Sequence, residues 1–72
     1  MKAIITQKSE LTLNLNQHFT FDIVGEEGEQ ILTSQTIECS PSTAVQELTA
    51  KLNAYQEEYT KSEELPVGME IS

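Results

Sequence analysis

Few side chains in this sequence are of a kind that does chemistry. There is one histidine, His18, and one cysteine, Cys39. The glutamates gather in three places: Glu26, Glu27 and Glu29 around a glycine, Glu57 with Glu58, and Glu63 with Glu64. A thiol within reach of an imidazole would make a nucleophile and its base. Paired carboxylates serve acid–base catalysis when their surroundings drive their pKa values apart. Crowded carboxylates around a turn invite comparison with a calcium loop.

Each of these chemistries meets an obstacle in the spacing. A calcium loop supplies about six to eight oxygens over a dozen positions, with Asp and Asn predominating. Here three Glu crowd one end of "GEEGEQ", and no alternating acids follow in register. That stretch reads as a turn and not as a metal site. "GEEG" also sets carboxylates where a phosphate loop needs backbone amides and a lysine. His18 and Cys39 fall on opposite sides of the alternation that surrounds them, so they should point apart. The paired glutamates sit at polar positions where ordinary pKa values are expected. No catalytic residue, cofactor site or metal site is assigned, and the chain is not expected to be an enzyme.

The elements that hold these groups are legible from periodicity. In "LTLNLNQHFTFDIV", Leu11, Leu13, Leu15, Phe19, Phe21 and Ile23 all stand at odd positions with polar residues between them. A period of two predicts strand with one buried and one wet face, either one long bent strand or two strands meeting near "NQH", and the usual strand length of about five or six residues favours the break. "AIIT" (residues 3–6) predicts a further short strand. "GEEGEQ" has hairpin length, with a turn centred on Glu26 and Glu27 and Gly28 supplying positive φ. Residues 31–39 form the return strand, with Ile37 and Cys39 on its buried face, so Cys39 reads as a small apolar residue.

Residues 43–64 predict a helix. Thr43 and Gln46 have capping-box spacing, and Val45, Leu48, Leu52, Tyr55 and Tyr59 form one apolar stripe. Glu47–Lys51 and Glu57–Lys61 are acid-first pairs at i, i+4. Pro66 ends the helix by Leu65. In the tail, residues 65–72, apolar side chains again alternate, which fits either a short edge strand or a segment that orders on a partner. The fold expected is therefore α+β in one small domain: an antiparallel sheet of three to four strands in residues 1–39, with one C-terminal amphipathic helix across one face. The expected core is Leu11, Leu13, Leu15, Phe19, Phe21, Ile23, Ile37, Val45, Leu48, Leu52, Tyr55 and Tyr59.

Locally, "PSTAVQELTAKL" (residues 41–52) resembles the helix start of ubiquitin-type β-grasp domains, where a strand passes through a capped Thr into an amphipathic helix. The resemblance covers about a sixth of the chain. It implies substantial sheet after the helix and, for conjugation, a terminal Gly-Gly. The helix is followed by barely ten residues ending in "EIS", and the family is not adopted.

Composition narrows the function classes. Seventy-two residues suit one sheet and one helix, with little room for a deep cleft. Twelve acids oppose four lysines with no arginine, for a formal net charge of −8. The lysines are scattered, so direct binding to nucleic acid or anionic lipid is disfavoured by charge repulsion. One cysteine makes no disulfide framework, and no signal peptide or membrane span is visible, so a cytoplasmic protein of a reducing compartment is expected. If the protein is viral, that means the host-cell cytoplasm.

Two functions are carried forward. The first is a small acidic interaction module, an inhibitor or adaptor acting on a basic protein surface through Glu57, Glu58, Glu63, Glu64, Glu26, Glu27 and Glu29. In size and acidity the chain is similar to small viral anti-defence proteins, some of which imitate nucleic acid. The second is a structural component, forming a homo-oligomer or part of a larger particle such as a phage, through sheet edges and the tail.

Overall fold

A computed structural model describes residues 1–72. In chain order it contains β1 (Lys2–Lys8), β2 (Gln17–Val24), β3 (Gln30–Cys39), a 3-10 turn at Pro41–Thr43 and α1 (Ala44–Glu63). The strands form one antiparallel sheet in the order β1-β2-β3. The helix packs on one face, giving the α+β architecture expected. No strand follows α1, so the β-grasp arrangement is absent.

The central strand owes its place to its alternation. Phe19, Phe21 and Ile23 point to the covered face, where they are 6 %, 5 % and 4 % exposed. Ile37 and Cys39 of β3 and Ala44 and Leu48 of α1 complete the core. Ala3, Ile31, Leu32, Leu52 and Tyr55 pack around it half-buried. No side chain is less than 2 % exposed, so the core is a single thin layer between sheet and helix. Gln17 keeps the same parity and is itself buried, its Nε2 donating to the Ser9 carbonyl at 2.6 Å. The polar residue that interrupts the apolar series is therefore a core-face residue with its hydrogen bond met.

Leu11, Leu13 and Leu15 do not join the core. Residues 9–16 connect β1 to β2 and are not strand, contrary to the alternation. β1 already occupies the place beside β2, with Lys2 opposite Val24 and Lys8 opposite Phe19. Residues upstream of Gln17 have no strand left to pair with and must turn. Thr12 and Asn16 close that turn. The Thr12 amide and hydroxyl both donate to the Asn16 carbonyl at 3.0 Å, and the Asn16 amide donates to Thr12 Oγ1 at 3.3 Å. Leu15 takes a left-handed φ of 62°.

The β2–β3 hairpin forms as its sequence predicts. The Gly25 amide donates to Glu29 O at 2.8 Å and the Gly28 amide to Gly25 O at 3.1 Å. Gly28 closes the turn at φ 85°. Beyond it, β3 is irregular. Phe21 faces Gln35 but Ile23 faces Leu32, so an extra residue bulges from β3 near Ser34. Ser34 has φ 57°, and its amide donates to Asp22 Oδ1 at 2.9 Å. The bulge switches parity, which brings Leu32 onto the same face as Ile37 and Cys39. The register of β1 also shifts between Ile5 and Gln7. Both edge strands are thus bulged, a feature that discourages strand addition.

The helix begins differently from the capping-box expectation. Thr43 has φ −108° and ψ −1° and makes no side-chain cap bond. Pro41, pre-set for the first helical position, starts a 3-10 turn after Ser40, so Thr43 is already in near-helical geometry where a cap needs extended backbone. The Thr43 hydroxyl turns back to Ser40 O at 3.2 Å. Ala44 enters the core, whereas Val45 is 79 % exposed and Tyr59 39 %. Neither Glu47–Lys51 nor Glu57–Lys61 closes to ion-pair distance. The helix stops where Pro66 requires, with the Glu64 and Leu65 amides donating to Lys61 O and Ser62 O. Residues 65–72 add no strand to the sheet; Pro66–Met69 is a turn with Gly68 at φ 91°.

These features predict a stability ranking. Phe21→Ala is expected to cost about 3–5 kcal/mol, and Gly28→Ala about 1–2 kcal/mol. Val67→Ala, at a fully exposed position, is expected to stay within about 0.5 kcal/mol. Urea unfolding followed by far-UV circular dichroism measures all three.

Candidate functional site

Topology decides where the acids meet. α1 follows β3 through a tight turn and packs back on the same sheet, so its C-terminal half runs toward the β2–β3 hairpin tip. Glu26, Glu27 and Glu29 from the tip and Gln56, Tyr59 and Glu63 from the helix line one open cleft of about 420 Å³, floored by Met1 and Ile31. Of the seven acids singled out in the sequence, Glu26, Glu27, Glu29 and Glu63 share this cleft. Glu57, Glu58 and Glu64 are exposed on the same half of the helix but do not line it. Met1, which carries the amino terminus, lines the cleft, and Lys2 pairs with Val24 beside the tip. Glu29 folds back over Gly25, where any Cβ would collide with its carboxylate.

Tyr59 is the cleft residue that the sequence stripe assigned to the core. Its ring lies 6.0 Å from that of Tyr55, tilted by 39°. The negative charge of Glu63, one turn on, is the main influence raising its phenol pKa above the ordinary range, with Glu29 a smaller one from the hairpin. The signal in the sequence was the Tyr59–Glu63 spacing of four, which puts both side chains on one helix face.

The cleft has the electrostatics of an acidic surface, without the geometry of a chelate. No three His, Cys, Asp or Glu side chains converge closely enough to hold a metal ion. His18 and Cys39 lie on opposite faces of the sheet, as alternation predicts. His18 Nε2 is 3.0 Å from Glu38 Oε2 on the open face, with both side chains more than half exposed. Cys39 sits opposite Gln17 on the covered face. Burial raises the Cys39 thiol pKa, and the Glu47 carboxylate raises it further. The helix that begins nearby does not activate it; Cys39 is a packing residue.

A second depression of about 290 Å³ lies between β3 and α1, lined chiefly by Phe21, Leu32, Gln35, Lys51 and Tyr55. Gln35, the cross-strand partner of Phe21, lines it as an exposed polar residue. No helix is long and apolar enough to cross a membrane. No family model, curated protein or solved structure matches the chain.

The two raised pKa values act in the same direction. A neutral thiol or phenol favoured by the folded state contributes stability that is present below its unfolded pKa and lost as pH rises through the folded one. Stability is therefore expected to hold up to about the ordinary cysteine value of 9.0 and to fall above it. Tyr59→Phe and Cys39→Ala should each flatten that fall. Urea midpoints at about pH 7.5 and about pH 10.5 report the slope.

Proposed function

We propose that this protein is a small, non-catalytic interaction module whose acidic end engages a basic surface on a protein partner, as an inhibitor or adaptor. One observation supports the reading above others. Two acidic segments distant in sequence, 26–29 and 57–64, are folded to the same end of the molecule, four of their glutamates facing one cleft. Held there by hairpin and helix, the carboxylates need little ordering on contact, which lowers the entropic cost of binding. Their summed field draws a basic surface in and repels other acidic ones. A row of carboxylates can also stand in for nucleic-acid phosphates, so a basic nucleic-acid-binding groove is the partner surface we favour. The setting that suits such a role is the cytoplasm, of the host cell if the protein is viral.

The second reading, a structural or assembly component, draws support from the tail. Leu65, Val67, Met69 and Ile71 are all exposed, at 58 %, 107 %, 49 % and 82 %. An apolar segment so displayed suits insertion into a neighbouring subunit of a larger particle.

Salt and charge reversal separate the two. A partner held by the acidic end should lose about tenfold or more in affinity between low and moderate salt. It should also be lost when Glu57, Glu58, Glu63 and Glu64 are changed to Lys. Surface plasmon resonance against a partner captured at low salt measures both. Affinity that ignores salt and charge reversal but disappears when residues 65–72 are deleted transfers the function to the tail.

A further inference from the structure

The end of the molecule opposite the acidic cleft has a different character. There the β1–β2 loop displays Leu11, Leu13 and Leu15, which are 54 %, 101 % and 66 % exposed. The loop is built to hold them out. Besides the Thr12–Asn16 bonds, the Leu15 amide donates to Thr12 O at 3.0 Å. At the base of the loop the Ser9 amide donates to His18 O at 2.9 Å, and the His18 amide donates to Ser9 Oγ at 3.0 Å. Leu15 meanwhile occupies left-handed backbone, a conformation costly for a leucine and useless to a core it does not enter. Order, strain and exposed apolar surface coincide in eight residues.

The chain exposes more surface than a compact monomer of its size. A folded monomer of 8.0 kDa should expose about 4,450 Å², yet this chain exposes 5720 Å². Its radius of gyration is 15.3 Å where about 11 Å is usual for a domain of this length. The excess, about 1,300 Å², is shared among the exposed segments of the chain, this loop and the tail 65–72 among them, and is larger than the roughly 800 Å² that each partner contributes to a stable interface.

Charge identifies the occupant. The chain carries a net −8, but residues 8–18 hold one lysine, Lys8, and one glutamate, Glu10, and so are neutral apart from His18. A two-fold contact through this region is self-complementary, with the Lys8 of each copy available to the Glu10 of the other. It also sends the two acidic ends outward. With a long axis of 52 Å per chain, those ends stand many Debye lengths apart and do not repel. The bulged edges of β1 and β3 offer no comparable site.

We infer that the β1–β2 loop is a self-association surface, through which a second copy of this chain covers Leu11, Leu13 and Leu15 and leaves two acidic clefts at the far ends of the dimer. The partner-binding role proposed above is independent of this contact, although a dimer would present that cleft twice.

Sedimentation velocity of the full chain from about 1 to about 500 µM tests it, alongside pelleting with phosphatidylcholine vesicles. The wild type is expected to shift from monomer to dimer over this range and not to pellet. Leu13→Ser should weaken the dimer about tenfold or more with an unchanged circular dichroism spectrum, since Leu13 touches nothing in the monomer. Leu15→Asn, which suits left-handed backbone, should weaken the dimer while raising the melting temperature of the dilute monomer. Val67→Ser should leave dimerisation as it is. A wild type that stays monomeric at the highest concentration, or a dimer unaffected by Leu13→Ser and Leu15→Asn, overturns the inference. So does a monomeric wild type that pellets with vesicles and stops doing so with Leu13→Ser, which would assign the loop to lipid.

Discussion

The contact between the odd-numbered side of β2 and the inner side of α1 is the interaction on which everything else depends. Phe19, Phe21 and Ile23 are the only large side chains of the central strand that the helix covers, and no other layer stands behind them. With a core this thin, the sheet cannot hold together without the helix, and the helix at twenty residues is marginal without the sheet. The packing also fixes direction. A helix laid back along β3 must end at the β2–β3 hairpin, and from that follow the acidic cleft and its separation from the apolar loop.

The molecule is consequently polar in the literal sense. One end gathers carboxylates from two segments around Tyr59; the other holds three leucines on a neutral, internally bonded loop. Neither end is required by the core. The hairpin turn would close with other residues at Glu26 and Glu27, and the loop would close through Thr12 and Asn16 with smaller side chains at Leu11, Leu13 and Leu15. Features that the fold does not need are where selection for contact with other molecules can act. The covered face, by contrast, is spent on stability, and Cys39 with its raised thiol pKa belongs to that side of the division.

Much of the fold was legible because two periods report it directly. The alternation through residues 17–24 predicted the covered face of β2, and the 3–4 spacing of Leu48, Leu52 and Tyr55 predicted the covering face of α1. The same rule failed at Leu11, Leu13 and Leu15 for a physical reason: alternation buries one side only where a strand has a neighbour, and β1 had already taken that place. Asn14, Asn16 and Thr12 were the available warning, since such residues bond to nearby backbone and favour turns. The bulge at Ser34 was hidden because its left-handed backbone is held by Asp22, a residue twelve positions away. It left one trace, the change of parity between Leu32 and Ile37. For the site, the glutamates themselves were plain, but their convergence was not, because it depends on the course of the helix over the sheet. Val45 and Tyr59 were read as core because a stripe names a face without saying which of its residues reach the sheet: Leu48, Leu52 and Tyr55 are covered, whereas Val45 and Tyr59 are exposed.

Amide hydrogen exchange followed residue by residue by NMR tests the β2–α1 contact most directly, because it ranks the stability of each segment within the native state. The slowest amides should be those of Phe19, Phe21 and Ile23 in β2, with Leu48 to Tyr55 in α1 protected together with them, and Leu11 to Leu15 exchanging much faster. Protection of α1 that persists while β2 exchanges freely, or amides in residues 11–15 as slow as those of β2, would contradict the account.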